Sequence, residues 1–546
     1  MSASNKKQLR KEQETEMLTA RQREEQAEAK KLKVYTITFI AIMAIVVVLA
    51  IGSLVMSGIN NSGILQKNTV AATVNGQELN AIELNYYYND AVNEMYQNAY
   101  QQYTSYYELY FEAMGLDISK PLDQQINPQT DDTWANFFLN AALDNAKYDY
   151  TFAKLAQENN FTLSEEAQAD VDSQLSNLEL NAQLSGYAGA DSYLKLVYGT
   201  GSDAESYKAY LTRMALADAY YQDHYDNLTY DKTVIDEYAK DKVNDYNTYD
   251  YSYVYLSYTS FQEGGQEDAE GNTTYTEEEK NAARAEAKKL ADELYALGNL
   301  DDIRDKVNGI EGSEIVVNDL ENQLHTNISQ TLANWLAAPE RKAGEIGLLE
   351  NTSAAEEGEE AVINGYYVIC FTKKNDNTGK MSNVRHLLVQ FEGGEEDETT
   401  GEMNYSTAEM EAAKTDAEAL LNQWKEGDAT EESFIELVKE NTDDTASAED
   451  GGLYENIHAG SEYVANFLAW AIDPQRKEGD TGIVETEYGY HIMYFTGYSE
   501  LSYRDQMITD EMKTTDIEAW QDECLKDATA SAGNLKYTDL DLVISG

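Results

Sequence analysis

The sequence is poor in cysteine, proline, histidine and basic residues. Its 546 residues include only two cysteines, four prolines and five histidines. Two cysteines cannot form a disulfide framework, and no Cys/His cluster has the spacing of a metal site. Forty Lys and Arg stand against 99 Asp and Glu, so the net charge is −59. A surface this acidic repels phosphate backbones and argues against nucleic-acid binding.

The sequence does have enough apolar material for several packed cores. Hydrophobic residues make up 42% and aromatic residues 11% of the chain. At about 100–200 residues per domain, the length predicts three or four domains. Cys370 and Cys524 lie far apart in the chain and are expected to be buried free thiols, with a disulfide as the alternative.

Charge and hydropathy set the N-terminus apart from the rest of the chain. Residues 1–33 carry a net charge of +3, whereas the remaining residues carry −62. The apolar run Val34–Met56 that follows has no charged side chain, and as a helix of about 34 Å it would cross a hydrocarbon core of ~30 Å. Lysines at its N-terminal edge predict a cytoplasmic N-terminus. The long charged leader and the lack of an A-x-A site favour an uncleaved anchor over a signal peptide. We therefore expect a single-pass protein of the cell membrane with its bulk outside the cytoplasm.

A polar linker, residues 57–68, leads into a segment with mainly helical patterning. Val70–Val74 and Gln77–Leu79 flank Asn75-Gly76, the strongest two-residue signal for a hairpin. Helical periodicity follows from Ala81 to about Lys240. Six residues in this segment recur at steps of three and four, as on one helical face: Tyr96, Tyr100, Tyr103, Tyr107, Tyr110 and Met114. This stripe is expected to pack the core of the domain, with a surface for unfolded chains as the alternative.

An internal repeat organises the second half of the chain. One copy covers residues 247–375 and the other covers residues 381–497. Both contain a β-rich run, an acidic Gly-Gly loop and a helix, and both end in a Trp-x-x-x-Pro-x-Arg-Lys-x-Gly motif followed by a Gly-Tyr strand. This many matches in the same order predict two tandem α+β domains.

Two histidines distinguish the copies. The second copy has His386 in its first strand and His491 in its last, where the first copy aligns Leu256 and Tyr367. A histidine pair present in only one of two related domains indicates a site in that domain alone. The alternative is two ordinary half-buried histidines.

Motifs of the second copy follow one another in a characteristic order. An Arg-His-Leu-Leu-Val strand precedes a Ser-Phe-Ile-Glu-Leu-Val helix, an acidic loop that ends in Gly451-Gly452-Leu453-Tyr454, and a Thr-x-x-Gly-Tyr-His-Ile strand. In this order and spacing, Met381–Tyr498 resembles the parvulin-type peptidyl-prolyl isomerases. The family usually reads Gly-Gly-Asp-Leu-Gly in the loop, so the Asp and the final Gly are missing here.

The resemblance implies roles for eight residues. The catalytic network would consist of His386, Asp444, Thr486 and His491, and the substrate-binding residues would be Leu453, Tyr463, Phe467 and Tyr488. Asp444 stands where some family members have a cysteine, so no thiol nucleophile is expected. The resemblance implies no cofactor and no metal.

The whole layout is similar to SurA-like and PrsA-like extracytoplasmic foldases, in which a helical chaperone domain begins with a strand ending in V-N-G. Here that domain, residues 69–246, would be completed by residues 498–546, with a helix at Ser502–Thr529 and a strand at Leu535–Ile544. The resemblance implies a multidomain α+β chain with a degenerate first parvulin-like domain. It also implies an isomerase and chaperone that acts on unfolded exported proteins with X–Pro bonds. The alternative is a non-catalytic holdase or envelope scaffold that only binds peptides.

Overall fold

The computed structural model describes residues 63–267, 272–310, 314–353, 362–396, 401 and 403–544. The predicted leader and the predicted anchor Val34–Met56 lie outside these residues. Across the described residues, no helix combines the length and hydrophobicity that a bilayer span requires. The described chain divides into two compact units, one of residues 63–229 with 512–544 and one of residues 230–511. The protein has a multidomain α+β fold.

The first unit is mainly helical. Its helices within residues 63–229 are α1 (Ile64–Lys67), α2 (Ala81–Tyr103), α3 (Tyr107–Ala113), α4 (Trp134–Glu158), α5 (Glu165–Leu184), α6 (Ala190–Val197) and α7 (Ala204–Asn227). Two short hairpins accompany them, β1 (Val70–Val74) with β2 (Gln77–Asn80) and β3 (Ile126–Asn127) with β4 (Asp132–Thr133). The predicted turn is confirmed, because Asn75 and Gly76 both have positive φ angles of 51° and 78°, as a tight hairpin turn requires. Asn80 then caps α2 by accepting a hydrogen bond from the Glu83 N–H.

The tyrosine stripe packs against the core as expected, since five of its six residues are partly buried there, but it lies on two helices and does not form one helical face. Helix α2 ends at Tyr103 because Thr104 leaves the helical region, with φ 47° and ψ −112°, and α3 begins a new helix. Tyrosines of the two helices stack on each other, as Tyr103 does on Tyr110 with ring centroids 4.5 Å apart. Tyr100 is 48% exposed, whereas the fully buried tyrosines lie earlier in α2, at Tyr86–Tyr88. The stripe is therefore a half-exposed aromatic cluster at the edge of the core.

The second unit begins with α8 (Lys232–Tyr238) and contains two α+β domains of the same topology. The first domain consists of β5 (Thr248–Ser257), β6 (Gln266–Glu267), β7 (Thr273–Thr274), α9 (Glu277–Leu297), α10 (Leu300–Asn308), β8 (Val317–Leu324), α11 (Gln330–Leu336), β9 (Ile346–Thr352) and β10 (Ile363–Asn375). The second consists of β11 (Lys380–Gln390), β12 (Glu395–Glu396), β13 (Met403–Asn404), α12 (Thr407–Glu426), α13 (Glu431–Asn441), β14 (Leu453–Ile457), α14 (Ala465–Ala471), β15 (Thr481–Thr486) and β16 (Gly489–Ser502). The strand orders are β8-β5-β10-β9 and β14-β11-β16-β15, and all neighbouring strands are antiparallel. The matching topologies confirm the internal repeat.

The acidic Gly-Gly loops have the same structural role in both domains. Capping boxes start α9 and α12, and each is completed by a glutamate, Glu279 or Glu409. Each glutamate also accepts a hydrogen bond from the second glycine of its loop, Gly265 at 3.3 Å and Gly394 at 3.1 Å. The loops thus hold in place the glutamates that complete the two capping boxes.

Strand register identifies equivalent positions in the two domains. In the second domain His491 pairs with Leu388, and in the first domain Tyr367 pairs with Tyr255. Both pairs join the two central strands two residues after the glycine that opens the closing Gly-Tyr motif. The two cross-strand pairs are therefore structurally equivalent.

Counting two positions back along the first strand makes His386 equivalent to Tyr253. The alignment of His386 with Leu256 expected from the sequence is wrong. The reason is a short 3-10 helix, Tyr258–Phe261, which follows β5 in the first domain. Its last residue is Phe261, four residues after the end of β5, whereas the matching Phe391 directly follows β11. Alignment through these phenylalanines therefore shifts the register by three residues.

The C-terminal segment differs from the expectation in its strand. Helix α15 (Tyr503–Leu525) is followed by β17 (Ala530–Ala532), which pairs antiparallel with β1 in the first unit. The predicted strand Leu535–Ile544 does not form, because the Asn534 side chain caps a 3-10 turn by accepting a hydrogen bond from the Lys536 N–H at 3.1 Å. Leu542 and Ile544 are nevertheless buried in the core of the first unit.

Candidate active site

The two central strands of the second domain carry the histidine pair. Strands β11 and β16 are antiparallel, and their register places His386 opposite Met493 and His491 opposite Leu388. Alternate residues of a strand project from the same face of a sheet. Both imidazoles therefore project from one face of the sheet as diagonal neighbours. Helix α12 packs on the other face, where it meets side chains such as that of Ile492 of β16.

The two imidazoles are in hydrogen-bond contact and almost fully buried. Their Nδ1 atoms lie 3.1 Å apart, and His386 and His491 are 2% and 6% exposed. The Nε2 atom of His386 lies 3.0 Å from Asp444 Oδ2, and the Nε2 atom of His491 lies 2.9 Å from Thr486 Oγ1. These four residues form one continuous polar line through the domain.

One set of protons satisfies the hydrogen bonds that join these four residues, with the Thr486 hydroxyl donating to His491 Nε2 at 2.9 Å and not to the more distant Gly489 carbonyl at 3.3 Å. An ionised Asp444 accepts, so His386 carries its proton on Nε2 and accepts at Nδ1. His491 then donates from Nδ1 and accepts at Nε2 from the Thr486 hydroxyl. Thr486 Oγ1 in turn accepts the Tyr488 N–H at 3.2 Å. The tautomers are assigned from these hydrogen-bond partners.

The charge of the polar line is concentrated at one end. Burial disfavours ionisation of Asp444, but hydrogen bonds from His386, Ser447 and Tyr454 outweigh it and hold the pKa of this carboxyl well below its usual range. Burial, together with the neighbouring His386, lowers the pKa of His491 to about 3. His491 is therefore neutral at physiological pH, and the negative charge lies on Asp444.

Aromatic rings form the wall beside the polar line. Phe467 of α14 meets both imidazoles edge-on, with ring centroids 5.4 Å from His386 and 5.3 Å from His491. Tyr463, which is half-buried, packs on Phe467 at 5.2 Å. Tyr454 stacks on His386 at 4.8 Å with an angle of 16° between the rings. The site thus combines an apolar aromatic surface with a buried, fully hydrogen-bonded polar network.

A glycine turn brings the strand of Tyr454 against His386. Gly452 has a φ of +69°, and a Cβ atom added there would lie 2.0 Å from the His386 carbonyl oxygen. The Gly452 carbonyl also accepts the His386 N–H at 2.9 Å. Arg385 stabilises the turn, because its Nη1 donates to the carbonyl groups of Asp450 and Gly451 at 2.6 and 3.1 Å.

The segment that contains this site matches a known domain family. Residues 386–497 match the family model of the rotamase, or PPIC-type PPIase, domain. The chain contains a parvulin-type domain. This match includes both histidines, Asp444, Thr486 and the aromatic wall.

Solved structures of PrsA proteins show similarity over longer stretches. PrsA from Bacillus anthracis is 21% identical over 28% of this chain and 59% of its own, with a TM-score of 0.17. PrsA from Bacillus subtilis is 14% identical over 75% and 91% of the two chains, with a TM-score of 0.24. The foldase protein PrsA from Streptococcus pneumoniae is 13% identical over 70% and 82%, with a TM-score of 0.19. The chain thus spans less than two thirds of the first of these, and TM-scores this low do not define its domain arrangement. No curated protein matches the sequence.

The parvulin-type domain brings together most of the residues singled out in the sequence. These are His386, Asp444, Thr486, His491, Tyr463 and Phe467. Leu453 lies elsewhere, because it pairs with Arg385 and so projects from the face opposite to Tyr454. Tyr488 is 51% exposed and contributes its backbone N–H to Thr486.

Two residues of the site were missed in the sequence. Ser447 donates to Asp444 Oδ2 at 2.5 Å, and Tyr454 donates to the same oxygen at 3.1 Å. Ser447 lies three residues after Asp444 in the same loop, a spacing that was a usable signal. For Tyr454 the signal was strand alternation, since only one of two successive residues can face the site.

The first α+β domain keeps the topology of the parvulin-type domain without its polar line. Tyr253, Tyr367 and Asn351 occupy the positions of the two histidines and Thr486. The Asn351 side chain donates to the Tyr255 hydroxyl at 2.8 Å. This face of the first domain is therefore lined by phenol rings.

Neither cysteine belongs to the site. Cys370 is a buried free thiol in β10 of the first domain, and Cys524 is a half-buried free thiol in α15. The polar line therefore has no thiol of its own to act as a nucleophile.

Proposed function

We propose that this chain is a membrane-anchored extracytoplasmic foldase, a peptidyl-prolyl cis–trans isomerase that also holds unfolded exported proteins. The observation that carries the isomerase activity is the buried line from Thr486 through His491 and His386 to Asp444, beside Phe467. It lies in the segment that matches the PPIC-type PPIase domain. The substrates would be unfolded or partly folded proteins with X–Pro bonds.

The chemistry requires no covalent intermediate. Rotation about an X–Pro bond has a barrier of about 20 kcal/mol, because it breaks amide resonance. A site lowers this barrier by binding the twisted amide better than the planar one. The rings of Phe467 and Tyr463 would hold the proline ring. The polar line, already oriented and shielded from water, would stabilise the changed charge distribution of the twisted amide.

The histidine pair predicts a selective loss of activity. In the full chain, His491→Gln should lower kcat/KM for X–Pro isomerisation about tenfold, the cost of one strong hydrogen bond, because His386 loses its partner at Nδ1. The measurement is the rate of a proline-limited refolding reaction at several enzyme concentrations. The matched control is Tyr367→Gln at the equivalent position of the first domain, which should leave the rate unchanged.

The two variants also decide between the isomerase and its alternative. Equal rates for His491→Gln and the unaltered chain would contradict the role of the histidine pair. If the unaltered chain binds unfolded proteins but does not accelerate their proline-limited refolding, the chain is a holdase or scaffold.

The helical unit would hold the unfolded substrate. Its half-exposed tyrosine cluster provides aromatic contact surface, as Tyr100 with 48% exposure illustrates. The charge of −62 beyond residue 33 would attract basic segments and speed their encounter with the chain. Contact through apolar surface persists when salt screens this attraction.

The apolar run Val34–Met56 predicts an intact N-terminus in the membrane fraction. The chain extracted from membranes should begin with its Lys-rich leader, and N-terminal sequencing or intact mass measurement would check this. Val47→Arg, at the centre of the run, should release part of the chain, because a central arginine costs about 2.5–3.5 kcal/mol on insertion. A mature N-terminus at residues 58–68 would instead make the protein secreted.

A further inference from the structure

Tyr454 occupies a position in the site that its sequence motif does not predict. It lies on β14, where it pairs with Val384 of β11, two residues before His386. Its ring is stacked on the His386 imidazole, and its hydroxyl reaches Asp444 Oδ2 at 3.1 Å. One side chain therefore contacts both members of the His386–Asp444 hydrogen bond. The ring also packs against Phe467 and Tyr463, with centroids 6.0 and 5.3 Å away.

Three donors converge on a single oxygen of Asp444. They are His386 Nε2 at 3.0 Å, Ser447 Oγ at 2.5 Å and the Tyr454 hydroxyl at 3.1 Å. Burial and the nearby Asp444 charge raise the pKa of Tyr454 well above its usual value. The phenol thus keeps its proton and donates at every physiological pH. An ionised carboxylate with three donors holds the imidazole N–H toward itself, which leaves Nδ1 of His386 as the acceptor for His491.

The first domain offers an internal comparison. Val384 pairs with Phe495 and Tyr251 pairs with Phe371. Each phenylalanine lies six residues after the glycine of its Gly-Tyr motif, Gly489 or Gly365, so Val384 and Tyr251 are equivalent. Tyr251 pairs with Leu320, whereas Val384 pairs with Tyr454. The domain without the histidine pair therefore has a leucine where the domain with the pair has this tyrosine.

We propose that Tyr454 is a positioning residue of the isomerase site, which holds the plane of the His386 imidazole by stacking and its tautomer through Asp444. The expected effect on kcat rests on the proposed isomerase function, whereas the expected effect on the His386 tautomer does not. The hydroxyl selects the protonated Nε2 of His386 through the carboxylate, and the ring prevents rotation of the imidazole. Loss of either contact disturbs the hydrogen bond between the two histidines.

The test compares two tyrosine hydroxyls that donate to carboxylates on opposite faces of one sheet. Tyr454→Phe keeps the stacked ring and removes the donor to Asp444. The control is Tyr490→Phe, which removes a hydroxyl that donates to Glu485 at 3.0 Å on the helix-covered face. Selective ¹⁵N labelling of histidine in the full chain gives ring signals from only five residues, and their shifts report the tautomer of each ring.

Tyr454→Phe should change the His386 ring signals from a single Nε2–H tautomer to a mixture and lower kcat about tenfold with little change in KM. Tyr490→Phe should change neither. Tyr454→Leu, which removes the ring as well, should lower kcat further. Wild-type His386 signals and wild-type kcat in Tyr454→Phe would overturn the proposal. If the unaltered chain has no isomerase activity, the proposed function fails, and the tautomer signals alone still decide the positioning role.

Discussion

Gly452→Ala is expected to destabilise the parvulin-type domain by more than about 3 kcal/mol, because strain and steric overlap act together at this position. The residue has a φ of +69°, and its new Cβ atom would lie 2.0 Å from the His386 carbonyl oxygen. That oxygen belongs to the backbone of a central strand, so it cannot move without disturbing β11. The hydrogen bond from His386 N–H to the Gly452 carbonyl would be lost as well.

The matched control for this variant is Gly479→Ala in the same domain. Gly479 also has a positive φ, +87°, but an added Cβ atom would meet nothing within 4 Å. It should therefore cost only the backbone strain, about 1–2 kcal/mol. Hydrogen exchange of peptides from residues 381–497 in the full chain measures both effects locally. Equal protection in the two variants would show that the close approach of Gly452 to His386 is not a structural requirement.

The helical unit is expected to become more stable as the pH falls from 8 to 5. Asp149 on α4 is buried, and this burial, together with the nearby Asp218, raises its pKa to about 7. Hydrogen bonding to Tyr87 and the charge of Arg213 oppose this rise, and the charge of Asp90 adds to it. In the unfolded chain the carboxyl has its usual pKa of about 4.

The sign of the pH dependence follows from these two pKa values. Below pH 4 both states hold the proton. Between about pH 4 and 7 the unfolded chain releases it while the folded unit keeps it, so stability falls as the pH rises through this window. Between pH 5 and pH 8 the loss is on the order of 3 kcal/mol. Asp203 and Glu179 have lowered pKa values, and the stability that they contribute is lost only at more acidic pH, below the compared range.

Asp149→Asn should reduce this pH dependence, because an amide stays neutral. The part that remains is due to Asp90 and Asp539, whose pKa values are also raised to about 6 by burial. The variant's gain in stability should be on the order of 3 kcal/mol larger at pH 8 than at pH 5. Asp170→Asn changes an exposed carboxylate on α5 and should leave the pH profile as it is. Urea unfolding followed by hydrogen exchange of peptides from α2 and α4 measures the unit itself. A parallel profile for Asp149→Asn and the unaltered chain would contradict the buried-carboxylate explanation.

Several local features were predictable because short-range chemistry determines them. The Asn75-Gly76 turn forms where the sequence places it, since both residues adopt the positive φ that the turn requires. The tyrosine stripe packs on the core as predicted but not as one helix, because its regular spacing continues through Thr104, where the backbone leaves the helix. Periodicity records which residues share a face only while the helix continues.

From the sequence alone one can predict the tandem α+β repeat, the parvulin-type domain in its second copy, and His386 and His491 as the pair that distinguishes the copies. The three-dimensional structure was needed to show that these histidines meet through their Nδ1 atoms at 3.1 Å, because residues 105 positions apart have no local rule that sets their distance. It also decided that Tyr454 and not Leu453 faces the site. Side chains alternate along a strand, so a difference of one residue in register moves a side chain to the other face of the sheet.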